Sequence, residues 1–199
     1  MSSPIVIVLA SGRGERFAAS GGTTSKLQAL LMGKTVLQHT LAAVQASGLP
    51  WYLEDSGQPG MGDSIAAAVR ATWQSDPQLA GWLILPADLP LIQSATLCAV
   101  AVALREHEVA APVYRGQRGH PVGFGAACGQ ALLDLKGNRG AASVVLARAV
   151  FSLLVNDVGC VTDIDTVTDL RAAERLLHGA TDGIYNGLLL ETQCTFIHL

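Results

Sequence analysis

The uninterrupted apolar run Ile5-Val6-Ile7-Val8-Leu9-Ala10 is the tightest constraint this 199-residue chain places on its own fold. A strand with one wet face alternates polar and apolar residues. A strand with no polar positions must be covered on both faces, the condition of a parallel sheet held between helices. Trp82-Leu83-Ile84-Leu85 repeats the pattern, and Val109 to Val113 and Phe151 to Val155 read as further strands. Trp51-Tyr52-Leu53 reads as a short one.

Helical segments alternate with these runs. Val36, Leu37, Thr40, Leu41 and Val44 recur at helical spacing until Gly48 and Pro50 stop them. Ile65, Val69 and Trp73 fall on one face of a helix over about 63 to 74, opened by Asp63-Ser64 as a cap. Further helices are expected over 94 to 105, about 126 to 135 and about 140 to 149. A last helix opens at Thr166-Val167-Thr168-Asp169, where Asp169 can complete a capping box, and Leu170, Ala173, Leu176 and Leu177 form its apolar face. Strands alternating with helices imply a layered α/β fold with a mostly parallel sheet. One domain over residues 1–178 accounts for this pattern, with residues 179–199 left as an unassigned tail.

Half the residues are hydrophobic and 15% charged, which gives a folded globular protein rather than a disordered one. The net charge of −3 argues against a protein that coats nucleic acid or anionic membrane. Met1-Ser2-Ser3-Pro4 has no positively charged leader, and no apolar run approaches the length of a membrane span. A cytoplasmic enzyme is the expectation. The cysteines at 98, 128, 160 and 194 form no CxxC or Cys/His pair, so they read as buried free thiols rather than a zinc site or disulfide framework.

Ligands of open α/β sheets bind beyond the carboxyl ends of the strands. The first strand runs into Ser11-Gly12-Arg13-Gly14-Glu15-Arg16, with Lys26 beyond it. Glycines let backbone N–H groups approach an anion, and three cationic side chains in one loop exceed what a plain turn requires. The loop is neither a Walker sequence nor a dinucleotide fingerprint, because Phe17 stands where GxGxxG needs glycine. The evident helix also opens some twenty residues later, a length suited to wrapping a triphosphate. Asp88, in Leu85-Pro86-Ala87-Asp88-Leu89-Pro90, ends a strand and is placed to hold a hard cation such as Mg²⁺. Asp165 is a second candidate, with local helix capping as the competing explanation. Asp163 reads as a loop charge. His120 stands alone beside Pro121, and no Ser-His-Asp or Cys-His arrangement argues for covalent catalysis.

Six stretches in order, LASGRGERF with Lys26, PGMGDSIAAAV, LPADLPLI, GHPVGF, LKGNRGAA and DIDTVTDL, resemble the MobA-like nucleotidyltransferases. The likeness is strongest to the molybdenum cofactor cytidylyltransferase branch and spans about residues 5 to 177. It implies a Rossmann-like three-layer sandwich of the nucleotide-diphospho-sugar transferase type, with a mostly parallel, mixed sheet. It also implies transfer of CMP from CTP to the phosphate of molybdopterin with release of pyrophosphate. On this likeness Leu9, Ala10, Ser11, Gly12, Arg13 and Gly14 bracket the nucleotide, while Arg16 and Lys26 neutralise its phosphates. Gly62 and Ser64 seat base or ribose. Asp88 touches the nucleotide site and, with Asp165, holds Mg²⁺; Arg16, Lys26 and Asp88 form the catalytic set. His120 and Asn138 face the acceptor.

The chain departs from that family's pattern at Ser11, at Asn138 and Ala142, and in a shortened stretch between Leu49 and Gly60 that lacks room for a strand and helix. The alternatives are a GTP-dependent molybdopterin guanylyltransferase, a sugar- or alcohol-phosphate nucleotidyltransferase, and a non-catalytic protein that delivers cofactor to a molybdenum hydroxylase.

Overall fold

The structure is a computed structural model that describes residues 3–12 and 14–184. The run from the N-terminus forms β1 (Ile5–Leu9), in which Val6, Ile7 and Val8 are fully buried. Their side chains alternate between the two faces: Val6 and Val8 enter one core cluster and Ile7 the other. The strand is sealed on both sides, as its composition demands.

The main sheet has seven strands. β1 lies between β4 (Trp51–Glu54) and β5 (Gly81–Pro86), parallel to both. β8 (Val122–Gly125) pairs antiparallel with β5 and with β6 (Val109–Tyr114), and β6 in turn pairs parallel with β9 (Val150–Leu154). The two-residue β7 (Gln117–Arg118) extends β6, while β2 (Leu30–Leu31) and β3 (Lys34–Thr35) form a separate small ribbon. The fold is therefore α/β with a mostly parallel, mixed sheet. The antiparallel strand β8 falls on GHPVGF, where two glycines leave no periodicity to read.

Helices α2 (Val36–Ala46) and α4 (Ser94–Ala103) cover the face bearing Val6, Val8, Leu83 and Leu85. Helices α3 (Met61–Ser75), α5 (Gly129–Leu133) and α6 (Ala142–Leu146) cover the other, around Ile7, Trp82, Ile84 and Phe124. Trp82 is completely buried, yet its indole N–H donates to Thr72 Oγ1 at 3.0 Å and Trp73 meets it edge-on at 5.2 Å. Burying so large a ring is favourable because its one polar atom keeps a partner. Asp157, also buried, accepts from Gln93 N and Thr96 Oγ1 and so caps α4 from sixty residues away.

Four expectations change. A short helix, α1 (Glu15–Ala19), follows the glycine loop, where sequence reading placed none before residue 36. Five residues are too few to show a period, and Phe17 alone anchors it in the core. Helix α3 begins at Met61, capped at Gly60, so Asp63 lies inside its first turn rather than at its cap. Asp63 accepts instead from Gly137 N at 3.0 Å, a long-range partner that no local pattern reveals. The last helix, α7 (Val167–Ile184), continues past the expected boundary at residue 178. Cys128 and Cys160 are buried free thiols as expected, but Cys98 is disulfide-bonded. Arg13 and the tail beyond residue 184 lie outside the described residues. No helix among the described residues is long and apolar enough to cross a membrane.

Between α2 and α3 the chain makes only one strand, β4, which borders β1 and ends the sheet.

Candidate active site

The carboxyl ends of β1, β4 and β5 meet at one edge and are tied by main-chain hydrogen bonds. Ala10 N donates to Glu54 O at 2.8 Å, and Ala87 N to Leu9 O at 3.0 Å. Thr40 Oγ1, buried on α2, donates to Ala87 O at 2.9 Å and fixes the turn that presents Asp88. Ile164 N donates to Asp88 O at 2.9 Å, which draws the loop before α7 onto the same turn.

Beyond β1 the chain turns at Gly14, whose φ of +63° suits glycine, and Gly14 packs on the stem of Lys26. Phe17 is pinned against Gly22, where a Cβ would approach its ring to 2.3 Å. These contacts fold the loop back and deliver Lys26, on a short 3₁₀ turn (Lys26–Gln28), to the strand ends. Lys26 Nζ donates to Asp88 Oδ2 at 2.5 Å and to Asp165 Oδ1 at 3.1 Å. Arg16 Nη1 donates to the other oxygen of Asp165.

The cluster is graded in exposure. The side chains of Lys26 and Asp88 are each 13% exposed, Asp165 31% and Arg16 78%. Burial alone would lower the Lys26 pKa, but the charges and hydrogen bonds of Asp88 and Asp165 outweigh it and hold the amine above 10.5. Lys26 is therefore a fixed positive charge. Asp165 stays available to it because Thr166 takes the cap of α7: Asp169 N donates to Thr166 Oγ1 and Asp169 Oδ2 accepts from Thr166 N at 2.7 Å. Local capping, the competing explanation for Asp165, belongs to its neighbour. Asp163 is exposed, as a loop charge should be.

Facing this cluster is a cavity of about 490 Å³, within the range of small-molecule sites. Leu9, Ser11, Gly12, Lys26, Ser64, Asp88 and Asn138 line it, all of them candidates from sequence. Ala10 instead lines a neighbouring cleft of about 300 Å³ that shares Gly12 and Lys26. Gly62 lies behind the wall, where a Cβ would come within 3.0 Å of the Lys136–Gly137 backbone. Gly60 is tighter still, at 2.5 Å from Gly137. Those two glycines let the Gly137–Arg139 turn sit on the start of α3, which carries Asn138 into the cavity.

His120, unlike Asn138, does not line the cavity. Its main-chain N–H donates to Cys160 O at 2.8 Å, and its Nδ1 is buried without a partner. Burial pulls the imidazole pKa below 6.5 despite the nearby charges of Asp88 and Asp163, so the ring is neutral at pH 7. Sequence reading missed Glu15, Leu27, Gln58, Pro59, Gly60, Met61 and Pro86 among the lining residues. Gly60 and Met61 belong to a quoted motif, but nothing in their spacing marked them as walls.

Comparison with known structures supports the same architecture. Rv0371c of Mycobacterium tuberculosis, solved as a manganese complex, superposes with a TM-score of 0.69 at 20% identity, covering 87% of this chain and 99% of that one. The molybdopterin-guanine dinucleotide biosynthesis protein A of Archaeoglobus fulgidus gives 0.61 at 16% identity, over 88% and 99% of the two chains. The 2-C-methyl-D-erythritol 4-phosphate cytidylyltransferase of Thermus thermophilus gives 0.63 at 19% identity, over 89% and 100%. No curated protein matches the sequence. A family model, the MobA-like NTP transferase domain, matches residues 6–151, a span that runs from within β1 to within β9 and stops short of Asp165. On that match this chain belongs to the MobA-like NTP transferases and is a nucleotidyltransferase.

Proposed function

We propose that the enzyme transfers CMP from CTP to the terminal phosphate of molybdopterin with release of pyrophosphate, using Mg²⁺. The observation that carries this reading is the placing of Lys26 between Asp88 and Asp165, with Lys26 and Asp88 lining a cavity that Ser11, Gly12, Gly60 and Asn138 also line. Nucleotidyl transfer needs position and charge neutralisation, not a protein nucleophile. The acceptor phosphate oxygen attacks the α-phosphorus in line. A new P–O bond forms as the bridging α–β P–O bond breaks, and pyrophosphate leaves with its electron pair.

The donor set suits a hard divalent cation. Asp88 and Asp165 offer only oxygen, both reach the same amine, and Asp88 Oδ1 is buried with no hydrogen-bond partner. Mg²⁺ takes one or two protein carboxylates and fills its other positions with phosphate and water. Bound there, Mg²⁺ supplies charge neutralisation at the α-phosphate and the departing pyrophosphate. Lys26 holds its proton throughout and stabilises the phosphate oxygens as negative charge builds on them. Gly12 and Ser11 offer a close approach along the loop, Ser64 borders the nucleoside, and Asn138 faces the acceptor. Arg16, the more exposed of the two cations in the cluster, meets the outer phosphates. Its partner Asp165 lies beyond the span matched by the family model, so the tertiary contact rather than that match brings this carboxylate into the reading.

The reading is tested by incubating the enzyme with Mg²⁺, molybdopterin and each NTP in turn, then measuring pyrophosphate and the dinucleotide product. Cytosine dinucleotide from CTP is the expected result. A guanine product overturns the base assignment, and turnover with a sugar or alcohol phosphate in place of molybdopterin overturns the acceptor. Absence of Mg²⁺-dependent pyrophosphate with every NTP replaces catalysis by the delivery role, with a molybdenum hydroxylase as the recipient.

A further inference from the structure

Glu54 closes β4 and is only 2% exposed, an unusual place for a carboxylate. Its main-chain oxygen receives Ala10 N at 2.8 Å and Ser11 Oγ at 3.2 Å, so it holds the start of the first loop. Its side-chain Oε1 receives two donors from one residue: Ser56 N at 3.2 Å, and the Ser56 hydroxyl. A hydroxyl has one proton to give. Because that proton is committed to Glu54, Ser56 Oγ has only lone pairs left for its next neighbour.

The next neighbour is Gln58, whose Nε2 donates to Ser56 Oγ at 3.1 Å. The orientation of a glutamine amide is assigned from its hydrogen bonds, and here the polarity of the chain decides it. The reversed amide would set Oε1 against Ser56 Oγ with no proton between them. Glu54 and Ser56 therefore turn Gln58 so that its carbonyl oxygen is the acceptor left over. Gln58 lines the 490 Å³ cavity, as do its neighbour Pro59 and Ser64.

We propose that Gln58 is a base-reading residue whose Oε1 accepts an N–H from the edge of the nucleobase, and that Glu54 and Ser56 are the positioning residues that fix this polarity. The proposal rests on the cavity being the nucleotide site. The chemistry it selects is a base with an N–H at that edge: between the two pyrimidines, cytosine offers N4–H₂, whereas uracil would set its O4 against Oε1. The Ser56–Gln58 contact is open to solvent, so a mismatched acceptor pair should separate CTP from UTP by on the order of 3- to 10-fold.

The test is equilibrium binding of CTP and of UTP with Mg²⁺, which needs no acceptor, in wild type and in Gln58→Met and Ser56→Ala. Wild type is expected to prefer CTP within that range. Gln58→Met should lose the preference mainly by weakening CTP, and Ser56→Ala should lose it by freeing the amide to turn, which strengthens UTP. Thermal melting establishes that each variant is folded. Equal weakening of both nucleotides at an unchanged ratio would show a merely structural role and overturn the proposal, as would a full ratio retained in Ser56→Ala. Wild-type protein that binds CTP and UTP alike overturns the base reading and leaves the nucleotidyl transfer reading standing. Failure to bind any nucleotide overturns both.

Discussion

Lys26, Asp88 and Asp165 meet through side chains drawn from segments up to 139 residues apart, whereas the facing wall at Gly60, backed by Gly62, rests on close approach of main chain to the Lys136–Asn138 segment. The first region depends on charge and tolerates modest changes of shape. The second is indifferent to charge and tolerates no added volume. Substrate chemistry and substrate position are thus sensitive to different kinds of mutation, and the two walls can be broken separately.

The largest effect should come from the charged wall. Asp88→Ala removes the nearer partner of Lys26 and one of two carboxylates, and turnover measured as pyrophosphate release should fall by on the order of 10²–10³. Near wild-type turnover at saturating Mg²⁺ and CTP would sink the metal assignment. On the glycine wall, Gly60→Ala drives a Cβ to 2.5 Å from Gly137. The Gly137–Arg139 turn must then retreat, at a cost of about 1–3 kcal/mol in stability. The KM for nucleotide should rise about tenfold with kcat less affected, on the scale of one lost nucleotide contact. If kcat alone fell, the two walls would not be separable as described.

Smaller effects grade the charged wall from within. Arg16 is 78% exposed, so Arg16→Ala should change stability to urea by less than about 1 kcal/mol while still weakening nucleotide binding. A stability loss as large as that of Gly60→Ala would contradict its peripheral place. The smallest effect is a pH dependence. The folded pKa of His120 lies below its ordinary 6.5, so unfolding takes up a proton in this window. The contribution is complete above pH 6.5 and is lost as pH falls through the lowered folded value. Urea titrations of His120→Gln should show a flatter acid limb than wild type. Lys26 runs the other way: its contribution is intact through the neutral range and fades only as pH rises past 10.5.

What the sequence disclosed divides along similar lines. β1 and β5 were legible because a strand sealed on both faces carries no polar residue, α2 because its apolar residues recur at helical spacing up to Gly48 and Pro50, and α7 because its cap is local. The capping box of Thr35 with Gln38 spans only three residues, as does that of Thr166 with Asp169. The start of α3 was misread because Asp63 satisfies a donor 74 residues away, and a strong cap residue looks the same whether its partner is near or distant. Helix α1 and strand β8 were lost to brevity and glycine. In the site, Asp88 and Lys26 announce themselves as charges after strands. Gln58 does not, since its orientation depends on Glu54, whose burial no local pattern reveals.

The loop before α7 has little slack. Ile164 N is bound to Asp88 O, and Thr166 is held by Asp169, so Asp165 is the single residue between two anchors. That spacing works as a ruler. Deleting or inserting one residue there would leave a good helix cap and an intact core but put a different side chain opposite Lys26. Such a protein would be expressed, folded and inert. Relatives with an indel at this point are where this fold should be found carrying out some other task.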